Sequence, residues 1–228
     1  MASEVDLVDE NSIKQAVSAG IEKFGSINVL VNNAGFGMIG GIEEVTNEEA
    51  RQSFDVNVFG ILNTTRILLP HFRKNGTGHI FNISSVFGLI SGPGWGIYCG
   101  AKFALEGISE ALAQEVKDFG INTTIIEPGY VRTNFLEGDS IQTPATPVGV
   151  YDTIQEEKRK HLEDISGNQL GDPQKIAEAI IELSKKENAP MRVLLGSDAL
   201  QLANYKVQML TEGFEANKEM TLSTDFAS

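Results

Sequence analysis

Short apolar segments alternate along the chain with longer stretches in which apolar residues recur every three or four positions. The short segments predict β-strands, and the periodic stretches predict helices with one apolar face. Such an alternation is typical of repeated βα units, in which helices cover both faces of a parallel sheet. We therefore predict an α/β fold with a doubly wound parallel sheet, in a single domain over 1–228.

The predicted strands share β-branched and large apolar residues and lie at 5–8, 28–31, 79–83, 121–126 and 191–195. Helices are predicted from Ile13 to Phe24, from the capping box at Thr46 to about Phe72, from Tyr98 to Val116, over 174–186, and from about Asp198. Residues after Lys218 are expected to fray. Periodicity fades over 136–171 amid Gly, Pro, Thr and charged residues, so this segment is predicted to be a lid over a substrate.

Composition narrows the classes of function. A net charge of −13 disfavours nucleic acids and anionic membranes as partners, because both would be repelled. No apolar run approaches the roughly 20 residues of a membrane helix, and no membrane span is predicted. Cys99 is the only cysteine, so no internal disulfide forms and a cytoplasmic location is expected. The three histidines lie far apart, so we interpret them as solvated or helix-end residues and predict no metal site.

Tyr98 and Lys102 are four residues apart in a predicted helix, which places both side chains on one face. A free phenol has a pKa of about 10, and a neighbouring cation favours the phenolate that proton transfer near neutral pH requires. The same spacing is common in solvated pairs, so it does not by itself indicate catalysis. Ser85 follows a strand, where ligands bind in open α/β sheets, although it could simply cap a turn. Asn57 is an unusual residue within a helix, and either hydrogen bonding or exposure would explain it.

Together these residues resemble the short-chain dehydrogenase/reductase family. Its motifs have matches in the same order along the chain: Asn32-Asn-Ala-Gly35 after a strand, Asn57, Ser85, Tyr98-x-x-x-Lys102 and Pro128-Gly129-Tyr-Val-Arg-Thr133. The intervals between Asn57, Ser85 and Tyr98 also resemble those of the family, whereas Ser84 fits less well. The resemblance runs from about Val5 to Leu195, and the last helix resembles a hydroxysteroid-dehydrogenase-like branch.

The resemblance implies a Rossmann-like fold, an NAD or NADP cofactor, and interconversion of a secondary alcohol and a ketone. By this resemblance Tyr98 is the general acid and base, and Ser85 hydrogen-bonds the substrate oxygen. Lys102 would bind the nicotinamide ribose and lower the pKa of the tyrosine. Asn57 would anchor a water relay. The implied cofactor contacts are Asp6 and Leu7 beside the adenine, Asn33, Ala34 and Gly35 along the cofactor, Tyr98 and Lys102, and Pro128, Gly129, Val131 and Thr133 near the nicotinamide.

The start of the chain departs from the family pattern. Family members open with a strand, a Thr-Gly-x-x-x-Gly-x-Gly loop, a helix and a second strand, and the loop receives the pyrophosphate. This chain begins at what resembles the third strand, so we expect the first βαβ unit to be missing. Gly35-Phe-Gly-Met-Ile-Gly40 fits Gly-x-Gly-x-x-Gly, but no predicted helix follows, and we interpret it as a decoy. The preference between NAD and NADP stays open.

Two functions remain for this sequence. The first is an active oxidoreductase for a small-molecule alcohol or ketone, and the apolar lid residues Phe135, Leu136, Ile141 and Tyr151 are compatible with an apolar substrate. The second is a catalytically inactive, cofactor-less remnant or an interaction protein. The resemblance also implies a homo-oligomer paired through the helices of Asn57 and Tyr98. Without the first two strands, the strand at 28–31 is expected to be an exposed apolar edge.

Overall fold

The structure, a computed structural model, describes residues 1–226. Its strands are β1 (Val29–Asn32), β2 (Gly37–Met38), β3 (Gly78–Ile83), β4 (Ile121–Pro128), β5 (Ile141–Gln142) and β6 (Arg192–Leu195). Its α-helices are α1 (Glu10–Phe24), α2 (Asn47–Phe54), α3 (Ile61–Asn75), α4 (Gly96–Val116), α5 (Asp152–Arg159), α6 (Pro173–Ser184), α7 (Ser197–Ala216) and α8 (Lys218–Leu222). The helices connect the strands, as the alternating pattern predicts.

Four parallel strands form the central sheet in the order β1-β3-β4-β6. The register pairs Leu30 with Ile80 and Ile80 with Thr123. The β1 strand is an edge, since among the described residues it pairs only with β3, and Val29 and Val31 are 38% and 42% exposed. The predicted α/β fold with a parallel sheet is confirmed.

The sheet is buried on both faces because successive side chains of a strand point to opposite sides. Ile80 faces a cluster with Leu68 and Phe72 of α3 and Leu112 of α4. Phe81 faces the other side, where Leu183 of α6 packs with Ile126. Full burial of each such side chain contributes about 1.5–3 kcal/mol. The two clusters hold helices on both faces, so the sheet is doubly wound.

Helix ends follow the sequence signals. Asp9 accepts a hydrogen bond from the backbone N–H of Asn11 at the start of α1, and Gly25 ends that helix with a φ of 81°. The Thr46 hydroxyl accepts from the Glu49 backbone, and the Glu49 side chain accepts from Thr46, which completes the predicted capping box.

Three predictions of secondary structure were wrong. Residues 5–8 are not a strand, because the Asp6 carboxylate accepts from the Val8 backbone N–H in a tight turn that leads into α1. The predicted helix from Thr46 is not α-helical throughout, since Asp55–Gly60 forms a π-helical turn between α2 and α3. Residues after Lys218 do not fray at once but form α8.

The segment 136–171 contacts the glycine-rich stretch after β1 and contributes Leu136 and Gln169 to a cavity. Its β5 strand pairs with β2, so the glycine-rich stretch after β1 enters a strand rather than a helix. Its backbone N–H at Val148 donates to Glu44. After α5 the helix continues as a second π-helical turn, Lys160–Ile165. In the part of the chain that the structure describes, no helix is both long and apolar enough to cross a membrane.

Candidate active site

A cavity of about 510 Å³ opens at the carboxyl ends of the central strands. In open α/β sheets this is the edge where ligands bind. Tyr98 and Lys102 of α4 line it together with Ser85, which follows β3, and Gly129, which follows β4. The structure thus brings residues from distant parts of the sequence into one site.

Tyr98 lies in the first turns of α4, and its side chain is 6% exposed. Burial raises the pKa of the Tyr98 phenol above its ordinary value, because the charged phenolate loses its water. The polar Ser85 side chain has a smaller, lowering effect on this pKa. The phenol is therefore neutral near pH 7 and is ready to donate a proton.

Lys102 lies one turn after Tyr98 on the same face of α4. Its Nζ is 5.6 Å from the centre of the Tyr98 ring and donates a 2.8 Å hydrogen bond to the Ile83 carbonyl oxygen. Burial lowers the pKa of Lys102 to about 8, and the Glu106 carboxylate has a smaller, raising effect. An ammonium has three N–H donors, so two remain for other partners at the site.

The two serines after β3 have different surroundings. The Ser85 hydroxyl accepts from the backbone N–H of Phe87 at 3.1 Å, and the Ser85 side chain has a lowering effect on the pKa of the Tyr98 phenol. Ser84 is buried beside Glu106, and a Cβ added at Gly88 would crowd both of their side chains. Both serines line the cavity, and within residues 1–226 the Ser84 Oγ has no hydrogen-bond partner.

Asn57 is fully buried in the π-helical turn between α2 and α3. Its Nδ2 donates to the carbonyl oxygens of Phe36, at 3.1 Å, and Ser53, at 2.9 Å. Within residues 1–226 its Oδ1 has no hydrogen-bond partner. A Cβ built on Gly35 would stand 2.5 Å from that oxygen, which explains why glycine suits the position. π-turns of this kind are frequent at functional sites.

The cavity also contains most of the predicted cofactor contacts. Its lining includes Asn33, Gly35, Tyr98, Lys102, Pro128, Gly129, Val131 and Thr133. Ala34 lies between two lining residues and is exposed. Asn57 is not among the lining residues, whereas the free N–H donors of Lys102 fit a polar ligand such as the nicotinamide ribose half of a dinucleotide.

Asp6 and Leu7 are not among the residues that line this cavity. The Leu7 side chain packs on Gly60, and its carbonyl oxygen accepts from Asn63 at 3.2 Å. The structure therefore places this pair against the helix after the π-turn, apart from Tyr98.

The interpretation of the histidines as solvated or helix-end residues was wrong at His79, which lies in β3, whereas His161 lies in the π-helical turn at the end of α5 and is buried there. His79 is 4% exposed and contacts the Thr124 hydroxyl at 2.9 Å. His161, at 2% exposed, contacts the Tyr130 hydroxyl at 2.8 Å. Both rings are buried against aromatic side chains, since His79 stacks on Phe81 and His161 packs against Trp95. Over the described range, 1–226, no three His, Cys, Asp or Glu side chains cluster as a metal site would require.

Comparison with known proteins identifies the family. The sequence profile described as short chain dehydrogenase matches residues 1–143, which include Asn57, Ser85, Tyr98 and Lys102. The chain belongs to the short-chain dehydrogenase family. It is 35% identical over 220 residues to the oxidoreductase BOA17 of Botryotinia fuckeliana, covering 96% of this chain and 80% of that protein. The protein is therefore an oxidoreductase of the short-chain dehydrogenase/reductase type.

Two solved structures support this assignment. A short-chain dehydrogenase from Streptomyces avermitilis superposes with a TM-score of 0.88 at 34% identity, covering 99% of this chain and 80% of that one. An alcohol dehydrogenase from the archaeon Thermococcus sibiricus, complexed with 5-hydroxy-NADP, superposes with a TM-score of 0.65 at 25% identity. That match covers 85% of this chain and 72% of the archaeal chain.

Sequence reasoning missed several residues of this short-chain dehydrogenase cavity. Trp95, Tyr130 and Gln169 all line it, and the Trp95 ring centre lies 5.6 Å from that of Tyr98. Trp95 directly precedes α4, and Tyr130 lies within the Pro128–Thr133 motif. Both could have been predicted as cavity residues, because each is close to a predicted site residue in the sequence. Gln169 carries no such signal, because the contacts of the 136–171 segment decide its place.

Proposed function

We propose that the protein is an NAD(P)-dependent oxidoreductase that interconverts a secondary alcohol and a ketone. The observation that carries the proposal is the grouping of Tyr98, Ser85 and Lys102 in one cavity at the carboxyl ends of the central strands. Two hydroxyls that face one space can both hydrogen-bond a carbonyl or alcohol oxygen. A general acid must lie within hydrogen-bond reach of the atom that it protonates.

Tyr98 carries the proton in this mechanism. During ketone reduction its neutral phenol donates a proton to the substrate oxygen, and during alcohol oxidation the phenolate takes the proton back. Ser85 keeps the oxygen in place with a second hydrogen bond. A positioned general acid or base contributes about 10²–10⁴-fold in rate.

Lys102 and Asn57 support the proton transfer. The Lys102 ammonium, 5.6 Å from the centre of the Tyr98 ring, stabilises a phenolate by charge, and its free N–H donors would hold the nicotinamide ribose. The buried Oδ1 of Asn57 is an unpartnered acceptor among the described residues and would order a water that renews the proton.

Nicotinamide would lie between Gly35 and the loop after β4. Pro128, Gly129, Val131 and Thr133 would form its far wall, and Asn33 and Gly35 would lie along the dinucleotide. The 5-hydroxy-NADP complex of the archaeal alcohol dehydrogenase supports a nicotinamide cofactor for this chain. When bound, the cofactor supplies or accepts the hydride. The adenine contacts of Asp6 and Leu7 stay a prediction.

The segment 136–171 would act as the substrate lid. Leu136 and Gln169 from this segment line the cavity, and most other walls are apolar, which favours an apolar alcohol or ketone. The resemblance to a hydroxysteroid-dehydrogenase-like branch is consistent with such a substrate. The protein would also form a homo-oligomer through the segments that carry Asn57 and Tyr98. Phe59 and Phe103 on these segments are 49% and 41% exposed, and exposed aromatic side chains favour an interface.

The test is turnover of a panel of apolar ketones with NADH and with NADPH, followed by the loss of reduced nicotinamide. Ser85→Ala should lower kcat/KM by about tenfold or more, because the substrate oxygen loses a hydrogen bond. Ser18→Ala, an exposed serine on α1, is the matched control and should match wild type. A folded protein that binds neither cofactor nor ketone would favour the inactive alternative.

A further inference from the structure

The side-chain amide of a buried glutamine in the cavity wall has no hydrogen-bond partner within the described part of the protein. Gln169 is 3% exposed, and within 1–226 neither its Oε1 nor its Nε2 has a hydrogen-bond partner. Buried amide groups are nearly always hydrogen-bonded. Because Gln169 lines the cavity that holds Tyr98, a ligand in that cavity could supply the missing partners.

The backbone around Gln169 is firmly held. The Arg132 guanidinium donates two hydrogen bonds to the Gln169 carbonyl oxygen, at 3.1 and 2.9 Å. Two residues later, the Gly171 N–H donates to the Tyr130 carbonyl oxygen, and the Gly171 carbonyl oxygen accepts from Arg132 N–H, both at 2.9 Å. These bonds fix the position of Gln169 without using its side-chain amide, as expected for a preorganised recognition group.

Trp95 adds a second unpartnered polar group to the same cavity. It is 2% exposed, and its Nε1–H has no acceptor in the described part of the chain. The indole ring packs against the rings of Tyr98 and His161, with centres 5.6 and 4.9 Å apart. The contact with Tyr98 places the indole next to the reacting end of the cavity.

The unpartnered groups define the chemistry of a ligand. Gln169 Oε1 is an acceptor, whereas Gln169 Nε2 and Trp95 Nε1 are donors. A hydroxyl has one O–H donor and two acceptor lone pairs, so it can complement each of these groups. The cationic lining residue is Lys102, at the reacting end, so the wall at Gln169 favours a neutral group over a carboxylate.

We propose that Gln169 and Trp95 form a polar subsite that recognises a hydroxyl group on an otherwise apolar substrate, separate from the carbon that is oxidised or reduced. This inference rests on the proposed function, because it assumes that the reacting carbonyl lies at Tyr98. Apolar walls accept the body of the substrate, and the subsite selects among apolar ketones by their second oxygen. A site built to hydrogen-bond a hydroxyl discriminates strongly against the analogue that lacks it.

The kinetic test uses matched pairs of ketones. Each pair comprises a straight-chain or cyclic ketone and the same compound with a hydroxyl a few carbons from the carbonyl, assayed on the full chain with NADPH or NADH. The ratio of kcat/KM for the hydroxylated over the plain ketone should favour the hydroxyl in wild type for at least one pair. Gln169→Met, of similar length, should lower that ratio by at least about tenfold. Trp95→Phe should lower it as well, and an unchanged ratio would contradict the role given to Trp95.

Gln155→Leu is the matched control, because Gln155 is an exposed glutamine of the same segment. It should keep the wild-type ratio. Thermal melting checks that each variant folds, and Gln169→Asn, which shortens the side chain, replaces Gln169→Met if the latter does not melt cooperatively. A folded Gln169 variant with the wild-type ratio for every pair would overturn the subsite.

A binding measurement separates this inference from the proposed function. Trp95 is the only tryptophan, so intrinsic fluorescence reports on this wall directly. Titration of wild type with each ketone pair should give a lower Kd for the hydroxylated member, and Gln169→Met should remove that difference. Selective binding without turnover would support the subsite and contradict the proposed reaction. Equal Kd values within every pair in wild type would overturn the subsite, whatever the turnover.

Discussion

The Nζ of Lys102 lies 5.6 Å from the centre of the Tyr98 ring and is tied to the Ile83 carbonyl oxygen by a 2.8 Å hydrogen bond. The bond joins α4 to the end of β3. It holds the cation beside the phenol while leaving N–H donors for a cofactor. Because both groups are buried, the charge of each depends on the other and on bound ligands.

The first prediction concerns the pH dependence of cofactor binding. The pKa of Lys102 is lowered to about 8, so its positive charge is present below that pH and is lost as the pH rises through it. The Kd for NADPH or NADH should therefore increase above about pH 8. Calorimetric titration over a pH series measures this. Lys102→Arg should abolish the increase, because a guanidinium stays charged. A flat wild-type profile would contradict the role of Lys102.

The second prediction concerns the close approach of Gly35 to Asn57. An alanine Cβ at position 35 would stand 2.5 Å from Asn57 Oδ1, so the π-turn or the loop must move. Gly35→Ala should cost about 1–3 kcal/mol in the free energy of unfolding and impair turnover. Gly92→Ala is the control, because a Cβ there meets no atom within 4 Å. Equal stability of the two variants in denaturant titrations would contradict the tight packing.

Much of this site could be predicted from the sequence, because its residues belong to motifs that resemble those of the short-chain dehydrogenase/reductase family. Local patterns put Tyr98 and Lys102 one helical turn apart and Ser85 just after a strand, and the resemblance predicted that they share one site. The π-turn at Asn57 could not be predicted, because the spacing of the apolar residues around it, at Phe54, Val58 and Ile61, also fits an uninterrupted α-helix. Gln169 could not be predicted either, because long-range contacts with Arg132 position it.

The error at residues 5–8 has a similar cause. Val5, Leu7 and Val8 have the composition of a strand, but a strand also requires a neighbour with which to share hydrogen bonds. In the structure Asp6 instead caps a local turn. Histidine burial likewise depends on tertiary contacts, so the burial of His79 and His161 could not be predicted.

The third prediction follows from buried His79. Burial lowers its pKa to about 4, whereas an unfolded histidine titrates near 6.5. Between those values the unfolded state binds more protons, so the contribution to stability is present above about pH 6.5 and is lost as the pH falls toward 4. As the pH falls from about 6.5 to 4, the melting temperature of His79→Gln should therefore decrease less than that of wild type. Parallel pH curves for the two proteins would contradict it.

The fourth prediction concerns the edge strand β1. Val29 is 38% exposed on a strand that pairs only with β3 among the described residues, and such edges recruit other strands. Val29→Lys should reduce concentration-dependent association of the 228-residue chain in sedimentation experiments. Val150→Lys, at a 72% exposed loop position, is the control and should associate like wild type. If both variants behave alike, β1 is not the associating surface.

The central claim is that the Tyr98 hydroxyl transfers the proton. The most direct measurement is kcat for a turned-over ketone with Tyr98→Phe, together with the Kd of the reduced cofactor for the same variant. Only the hydroxyl is removed, so kcat should fall by at least about 100-fold, while the Kd should change by less than about tenfold. Near-normal kcat in a folded Tyr98→Phe protein would contradict the account.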